Sequence, residues 1–350
     1  MIVKKRSRLP ESIPATLQIT RPLSLFLLNA GDYPKIYGPD ELDEIGRLSE
    51  IYAPLQTRES VDQDPSVLAK AECLFSSWGM AKMDAAFLDA APNLRAVFYG
   101  AGSIRGIVTE AFWERGIIIT SAYAANAVPV AEFTLSQILF SLKQGWHFVL
   151  RTKQDGRFPK PLSIAGAYQT TVGLVSLGMI GRKVARLLQS FDVNVIAYDP
   201  FVTALDMSGL NVESCSLPEL FQRADVVSLH TPCLKETEGI ITGRLLASMK
   251  PGATFINTSR GKVVCEPEMI AVLRQRPDLF AVLDVTWPEP PEPGSPLYAL
   301  PNVVLTPHIA GSMDAECRRM GRFMVDEFKR YLKNEPLQWA ITRDKADLLA

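Results

Sequence analysis

Three late segments of the chain carry side chains that could bind an anion and move a proton. Each segment follows a predicted strand of one sheet. The segments are N-T-S-R-G (257–261), D-V-T-W-P-E-P (284–290) and T-P-H-I-A-G-S (306–312). Ligands of open α/β sheets bind beyond the carboxyl ends of the strands. We therefore expect Arg260, Glu289 and His308 to converge on one cleft.

Together, these three side chains suit the reduction of a 2-keto acid. Arg260 offers a permanent charge with bidentate geometry for a carboxylate and its neighbouring carbonyl. A histidine such as His308 can give a proton to the nascent alkoxide, or take one during oxidation. Glu289 could orient the imidazole and stabilise its protonated form.

Each of the three residues also has an ordinary structural interpretation. Arg260, followed by glycine, could lie in a surface turn. Glu289 could be a solvated residue of the Pro-rich loop, and His308 a loop histidine after Pro307. The joint pattern favours the functional interpretation.

A possible dinucleotide-binding turn, S-L-G-M-I-G (176–181), lies between a predicted strand and a predicted helix. Gly178 and Gly181 keep the positions that let the backbone approach a diphosphate and let helix and strand pack closely. Ser176 replaces the first glycine. Serine fits there if its backbone angles stay in the ordinary region, so we expect at most some loss of cofactor affinity.

Asp199 ends the next predicted strand, 18 residues after Gly181. An acidic residue near this position binds the adenine ribose in such domains. Its charge would repel a 2′-phosphate, which favours NAD over NADP. The structural alternative is a strand-terminal aspartate that closes a turn.

The elements that must position these residues form two series of short apolar runs. The first series predicts strands at 23–28, 72–77, 95–100 and 116–121, with helices at 84–91 and 108–116. The second predicts six strands, at 170–176, 194–199, 225–230, 253–258, 280–285 and 302–307. Alternating strands and helices indicate an α/β protein with parallel, doubly wound sheets, the second belonging to a dinucleotide-binding domain.

Two further helices are predicted. One runs from about 128 to 153 and is unusually apolar, which suits an interdomain or intersubunit surface, or burial within the monomer. A loop with Gly156, Pro159, Pro161 and Gly166 follows it. The other helix, at about 313–332, is amphipathic.

The chain resembles the D-isomer-specific 2-hydroxyacid dehydrogenases over almost its whole length. The matching segments are FYGAGSIRG (98–106), VPVAEFTL (128–135), TVGLVSLGMIG (171–181), AYDP (197–200), DVVSLHTP (225–232), TEGII (237–241), INTSRG (256–261), LDV…PEP (283–290) and TPHIAGS (306–312). The resemblance implies hydride transfer between NAD(H) and C2 of a small D-2-hydroxy acid or 2-keto acid. It also implies that Arg260, Glu289 and His308 are the catalytic residues.

The resemblance implies binding residues as well. For NAD they are Ser176, Gly178, Met179, Ile180, Gly181, Asp199, His230, Thr231, Pro232, Thr237, Thr258, Ser259, Asp284 and Gly311, with Asp284 beside the nicotinamide amide. For the substrate they are the loop of Ala101, Gly102 and Ser103, together with Arg260 and His308. Trp78 and Trp287 are candidate pocket walls that could equally be core aromatics.

The resemblance further implies a domain division and an oligomeric state. A discontinuous, flavodoxin-like substrate-binding domain would comprise 1–125 and 313–350, and a Rossmann-type NAD-binding domain 126–312. A homodimer would form through the helix near 128–150. The chain departs from the family pattern at three positions that affect cofactor affinity or loop geometry: Ser176, Lys262 (often glycine) and Cys265 (commonly acidic).

One alternative function is an NAD-sensing regulatory or corepressor-like protein on the same scaffold. The retained arginine, glutamate and histidine favour the enzyme. Formate or phosphite oxidation is a weaker alternative, since formate-type relatives lack a glutamate equivalent to Glu289.

Composition excludes several other classes. The formal charge is −1, with 37 basic and 38 acidic residues, so nucleic acid is not an expected partner. No run is long and apolar enough to span a membrane. The basic cluster Lys4, Lys5, Arg6 and Arg8 precedes Pro10 and predicts a solvated tail, not a signal peptide. Five scattered cysteines and three histidines predict a cytoplasmic protein without a metal site.

Overall fold

The computed structural model describes residues 21–160 and 164–346, so the N-terminal basic cluster and Pro161 lie outside the described residues. The strands are β1 (Leu23–Leu27), β2 (Glu50–Ile51), β3 (Cys73–Ser76), β4 (Ala96–Tyr99), β5 (Ile118–Ser121), β6 (Tyr168–Val175), β7 (Asp192–Tyr198), β8 (Glu213–Ser214), β9 (Val226–Leu229), β10 (Thr254–Asn257), β11 (Phe280–Leu283) and β12 (Val303–Leu305). The helices are α1 (Tyr33–Ile36), α2 (Pro39–Leu48), α3 (Arg58–Gln63), α4 (Ala85–Ala90), α5 (Glu110–Glu114), α6 (Tyr123–Leu142), α7 (Gly145–Asp155), α8 (Met179–Leu188), α9 (Ala204–Ser208), α10 (Leu217–Arg223), α11 (Gly243–Ala247), α12 (Glu266–Gln275), α13 (Cys317–Leu332) and α14 (Arg343–Ala346).

The first series of strands forms a five-stranded parallel sheet with the order β2-β1-β3-β4-β5. This is the flavodoxin-like order. Helices cover both faces, so Leu25, Phe26 and Leu27 of β1 are all almost completely buried. Burial on both faces explains why these strands appear in the sequence as continuous apolar runs.

The second series forms a seven-stranded parallel sheet with the order β12-β11-β10-β9-β6-β7-β8. The strand order reverses between β6 and β9. The crevice at such a reversal, outside the carboxyl ends of the strands, is where doubly wound sheets bind nucleotides. The predicted α/β class with two parallel sheets is confirmed.

Two strands were not predicted, and one predicted helix is wrong in its extent. The two-residue strands β2 and β8 lie at sheet edges; both residues of β8 are exposed, as is Glu50 of β2. The predicted helix at 128–153 is two helices, because Gln144 adopts a left-handed conformation (φ 51°) between α6 and α7. A Cβ at Gly145 would lie only 2.4 Å from the Phe140 ring, so this ring packs closely on the bend. The apolar pattern continues across the bend and does not reveal it.

Helices α13 and α6 connect the two halves of the chain. The predicted C-terminal helix is α13, whose Phe328 packs edge-on against Phe75 and Phe98 of the five-stranded sheet, with ring centroids 5.0 and 5.2 Å apart. Helix α6 contributes Ala125 to the core of that sheet and Ile138 to the core of the seven-stranded sheet. A discontinuous domain division requires such packing of α13, and the division itself stays a prediction.

No helix within residues 21–160 and 164–346 combines the length and apolar character needed to cross a bilayer.

Candidate active site

Arg260, Glu289 and His308 follow three adjacent strands of the seven-stranded sheet, β10, β11 and β12. All three strands are parallel, so their carboxyl ends lie along one edge. Neighbouring strands are about 4.8 Å apart, so the ends of β10 and β12 are separated by roughly 10 Å. Long side chains can converge across such a distance.

The imidazole of His308 is hydrogen-bonded to the carboxylate of Glu289, with Nδ1 and Oε1 2.5 Å apart. About half of the His308 side chain is exposed, and the pair faces solvent on one side. The His308 N–H donates to the Asp284 carbonyl (3.0 Å), and His308 has a left-handed backbone (φ 54°). Since Glu289 holds Nδ1, Nε2 is the ring nitrogen on the opposite side.

The loop that carries Arg260 is fixed by its own side chains. Asn257 accepts a hydrogen bond from the Ser259 N–H (2.9 Å) and donates to the Arg260 carbonyl (3.1 Å). A Cβ at Gly261 would lie 2.0 Å from the backbone carbon of Thr286. The arginine loop is thus packed directly against the segment that leads to Glu289.

Asp284 is buried and organises the histidine segment. Its Oδ1 accepts hydrogen bonds from the Thr306 hydroxyl (2.6 Å) and the Ile309 N–H (2.9 Å). Its Oδ2 accepts one from the Ala310 N–H (2.9 Å). One carboxylate thus holds the Thr306 side chain before His308 and two backbone N–H groups after it.

The predicted dinucleotide turn has the two properties expected of its glycines. A Cβ at Gly181 would lie 2.2 Å from the Ser176 carbonyl oxygen, so α8 packs here as only glycine allows. A Cβ at Gly178 would meet no atom within 4 Å, which leaves open space at the N-terminus of α8. The N–H groups of Met179 and Ile180 belong to the first turn of α8, a position that binds phosphate groups.

The backbone of Ser176 differs from our expectation. Its φ is +76°, in the left-handed region, and not in the ordinary region on which the expected fit of serine depended. Its hydroxyl is hydrogen-bonded to the Thr231 hydroxyl (3.0 Å) in the loop after β9. The residue therefore takes the conformation of the missing glycine while its side chain ties two loops together.

Asp199 closes the turn after β7 and also contacts the glycine turn. Its Oδ2 accepts a hydrogen bond from the Leu177 N–H (2.7 Å). Its Oδ1 accepts from the N–H groups of Phe201 (2.8 Å) and Val202 (3.2 Å). The turn-closing alternative thus describes its contacts here, and its binding of a ribose stays a prediction.

His230 is buried at the end of β9 and has an unpaired nitrogen. Its Nε2 lies 3.1 Å from the Ser228 hydroxyl, while Nδ1 has no hydrogen-bond partner within the described residues. Burial lowers the pKa of His230 to about 4, so the ring is neutral at pH 7. The orphaned nitrogen and the open space at Gly178 fit a bound dinucleotide with polar groups along this edge.

The other residues predicted to bind NAD lie in the same loops. The Ser259 hydroxyl donates to the Thr231 carbonyl, and the Thr237 hydroxyl donates to the Pro232 carbonyl (2.6 Å). Thr258 is hydrogen-bonded to Thr134 of α6 through their hydroxyls (3.1 Å). Gly311 lies beside Asn126, whose Oδ1 would be 3.3 Å from a Cβ there.

The predicted substrate loop follows β4 of the smaller sheet. Carbonyl oxygens of Ala101 and Gly102 accept hydrogen bonds from the Ser121 hydroxyl, and Ser103 Oγ accepts one from the Arg105 N–H. The Arg105 guanidinium donates to the Cys233 carbonyl (2.8 Å) beyond β9. This bond joins the loop after β4 of the five-stranded sheet to the loop after β9 of the seven-stranded sheet.

The two tryptophans differ in their surroundings. Trp78 is half-buried and packs against both core clusters of the five-stranded sheet. Trp287 is 54% exposed, near Glu289. Trp78 is therefore in part a core aromatic, as one interpretation held, while Trp287 borders the candidate site.

Several residues that support the site are absent from the predicted set. Thr306, two residues before His308, was visible in the T-P-H motif, and Asn257 began the N-T-S-R-G motif. Asn126 on α6 accepts a hydrogen bond from the Ser312 N–H (2.8 Å), and no sequence signal pointed to it. Within the described parts of the chain, no group of three or more His, Cys, Asp or Glu side chains is arranged to hold a metal.

Comparison with known proteins gives a consistent set of matches. Residues 137–310 match the family model described as D-isomer specific 2-hydroxyacid dehydrogenase, NAD binding domain. The chain is 37% identical over 253 residues to (S)-sulfolactate dehydrogenase of Chromohalobacter salexigens, which covers 72% of this chain and 82% of that protein. It is 36% identical over 261 residues to glyoxylate reductase of Thermofilum pendens, covering 73% and 76%.

Solved structures agree in fold. D-lactate dehydrogenase of Aquifex aeolicus, complexed with NAD and lactic acid, superposes with a TM-score of 0.68 at 27% identity, over 89% of this chain and 96% of that one. The chain also matches D-3-phosphoglycerate dehydrogenases, of which it spans about half the length: 49% in that of Archaeoglobus fulgidus, at 30% identity over 74% of this chain.

Proposed function

We propose roles for three residues from the premise that the chain belongs to the D-isomer specific 2-hydroxyacid dehydrogenase family and is an NAD-dependent oxidoreductase of 2-hydroxy and 2-keto acids. His308 is the acid/base residue, Glu289 supports that histidine, and Arg260 is the cation that binds the substrate. The observation that carries this assignment is the 2.5 Å contact between His308 Nδ1 and Glu289. That contact joins segments 19 residues apart in the sequence.

The path of the proton follows from this geometry. Glu289 accepts the Nδ1–H and stabilises the imidazolium, so Nε2 is the atom that exchanges a proton with the substrate oxygen. In reduction, Nε2–H protonates the oxygen on C2; in oxidation, Nε2 removes the hydroxyl proton. Arg260 binds the substrate carboxylate and polarises the carbonyl, since its charge persists at any working pH.

Bound NAD(H) supplies the hydride acceptor or donor. The residues that would hold it are those along the β6–β9 crevice. The first turn of α8, opened by Gly178, would bind the diphosphate, and Asp199 the adenine ribose. Asp284 and His230 would line the nicotinamide end. These assignments give residues 126–312 the binding of NAD. Residues 1–125 and 313–350 would complete the substrate side, through the Ala101–Ser103 loop and Trp78.

The proposed substrates are small D-2-hydroxy acids and their 2-keto acids. The relatives named for sulfolactate and glyoxylate support a short carbon chain next to the carboxylate. A regulatory function has no support from these relatives, which are named as a dehydrogenase and a reductase.

The test is NADH oxidation by the purified protein with glyoxylate, hydroxypyruvate, pyruvate, phenylpyruvate and sulfopyruvate. Turnover of at least one short 2-keto acid supports the proposal. NADH binding without turnover of any of them would contradict it and favour an NAD-sensing protein.

We also propose a homodimer through the 128–150 region. Side chains on and after α6 and α7 are apolar and exposed, among them Phe140, Val149 and, at 90% exposure, Phe158. Such a patch suits an interface between copies. Sedimentation at twice the mass of one chain would support the dimer, and a monomer at micromolar concentration would contradict it.

A cytoplasmic location is proposed from five cysteines, all present as free thiols.

A further inference from the structure

Three loops beyond the candidate catalytic edge are joined to one another. The Gly239 N–H donates to the Lys262 carbonyl (2.9 Å), and the Ile241 N–H donates to the Val263 carbonyl (3.1 Å). These bonds attach the loop containing Thr237, a proposed NAD residue, to the loop that begins at Arg260. The arginine loop in turn packs on Thr286 through Gly261.

Lys262 adds a side-chain connection across all three loops. Its ammonium group lies 4.1 Å from the centroid of the Trp287 ring and 3.7 Å from Glu238 Oε1. The ammonium is thus close to both the Glu238 carboxylate and the Trp287 ring. A cation so placed over an indole is attracted by the ring electrons, and tryptophan is the strongest such partner.

Trp287 is held from its backbone as well. Its N–H donates to Glu266 Oε2 (3.0 Å) at the start of α12, and Glu289 follows two residues later. The position of the Trp287 ring is therefore coupled to the direction in which the segment presents Glu289. Since Glu289 holds His308, a shift of this segment misaligns the imidazole.

We propose that Lys262 is a positioning residue: through Trp287 it fixes the segment that carries Glu289, and through Glu238 it couples that segment to the loop of Thr237. The inference rests on the proposed function, because it takes Glu289 and His308 to be the proton-transfer pair.

The kinetic test compares Lys262→Met with Lys262→Arg, using NADH and the best 2-keto acid of the parent enzyme. Methionine keeps an unbranched side chain without the charge, so kcat should fall about threefold to fivefold, the size expected for an exposed cation–π contact. The KM for the keto acid and the NADH dissociation constant should change less than kcat, since Lys262 is not among the residues proposed to bind either ligand. Lys262→Arg should keep kcat near the parent value, because arginine also stacks on indole.

Two comparisons separate positioning from general damage. Lys250→Met removes a lysine of similar exposure, paired with Asp225 at 3.1 Å and remote from the site, and should leave kcat unchanged. Trp287→Leu should cause the same loss as Lys262→Met, with no further loss in the double variant. A rise in KM alone, additive losses, or no rescue by arginine would overturn the proposal.

A second readout does not depend on turnover. The chain has three histidines, so the imidazole nitrogen signals of His308 can be assigned with His308→Gln. In Lys262→Met they should move toward their positions in Glu289→Gln, and in Lys250→Met they should not move. Unchanged signals would overturn the inference even if the parent is active. A parent that turns over no 2-keto acid, with the signals moving as expected, would instead contradict the proposed function alone.

Discussion

Alanine at each of the two glycines of the dinucleotide turn should separate the packing role from the binding role. At Gly181 the new Cβ would lie 2.2 Å from the Ser176 carbonyl oxygen. Ordinary carbon–oxygen contacts are about 3.3 Å or longer, so α8 and the turn must separate by about 1 Å. The obstacle is backbone, which no rotamer change can move away.

The magnitude follows from this overlap. Forcing an extra methyl into a packed site costs about 1–3 kcal/mol, and a backbone obstacle places Gly181→Ala near the upper end. Alanine regains about 1 kcal/mol through its higher helix propensity. We therefore expect Gly181→Ala to lower the free energy of unfolding by about 2 kcal/mol.

Gly178→Ala is the matched control. Its backbone (φ −68°, ψ −160°) is extended and open to any residue, and its Cβ would meet no atom within 4 Å. The free energy of unfolding should change by less than about 1 kcal/mol, which is the range of a changed N-cap. NADH affinity should nevertheless fall at least about tenfold, because the methyl fills the space into which the diphosphate would approach.

Urea unfolding of the cofactor-free variants gives the stabilities, and titration of NADH fluorescence gives the affinities. A Gly181→Ala variant as stable as the parent would refute the packing argument. Parental NADH affinity in Gly178→Ala would refute the placement of the diphosphate at α8.

Three further perturbations test other parts of the site. In the unfolded chain His230 binds a proton near its ordinary pKa of 6.5, whereas in the folded protein it does so only near a pKa of about 4. Lowering the pH from 7 to 5 should therefore lower the free energy of unfolding by about 2 kcal/mol. Urea unfolding of His230→Gln at both pH values should show no such loss. Glu289→Gln should lower kcat about a hundredfold and leave the NADH dissociation constant unchanged; a fall in NADH affinity of the same size would contradict its assignment to proton transfer. Ser176→Ala keeps the left-handed backbone but loses the hydrogen bond to Thr231, so its free energy of unfolding should fall by about 1 kcal/mol. Glycine adopts a left-handed backbone without strain, so Ser176→Gly should be at least as stable as Ser176→Ala.

The sequence was sufficient to predict most strands, because strands buried on both faces of a parallel sheet are continuous apolar runs. The edge strands β2 and β8 have two residues each and no such signal. The bend at Gln144 depends on one backbone angle and on the Phe140 ring that fills the turn. Neither changes the apolar periodicity, so one long helix was predicted where two exist.

The candidate site was predictable to the extent that motifs follow strand ends. The sequence placed Glu289 and His308 at one edge, but only the fold shows their 2.5 Å contact. The left-handed backbone of Ser176 and the contacts of Asp199 with backbone N–H groups depend on tertiary packing. The stacking of Lys262 on Trp287 joins residues 25 positions apart and could not be read from either motif alone.

The proton-transfer role of His308 is tested most directly by the His308→Ala variant with NADH and the parent's best 2-keto acid. Turnover should be lost while NADH binds with nearly parental affinity, because the imidazole supplies the proton at C2 and the glycine turn, with its neighbouring loops, remains intact. Turnover near the parental rate would contradict the assignment of His308 as the acid/base residue.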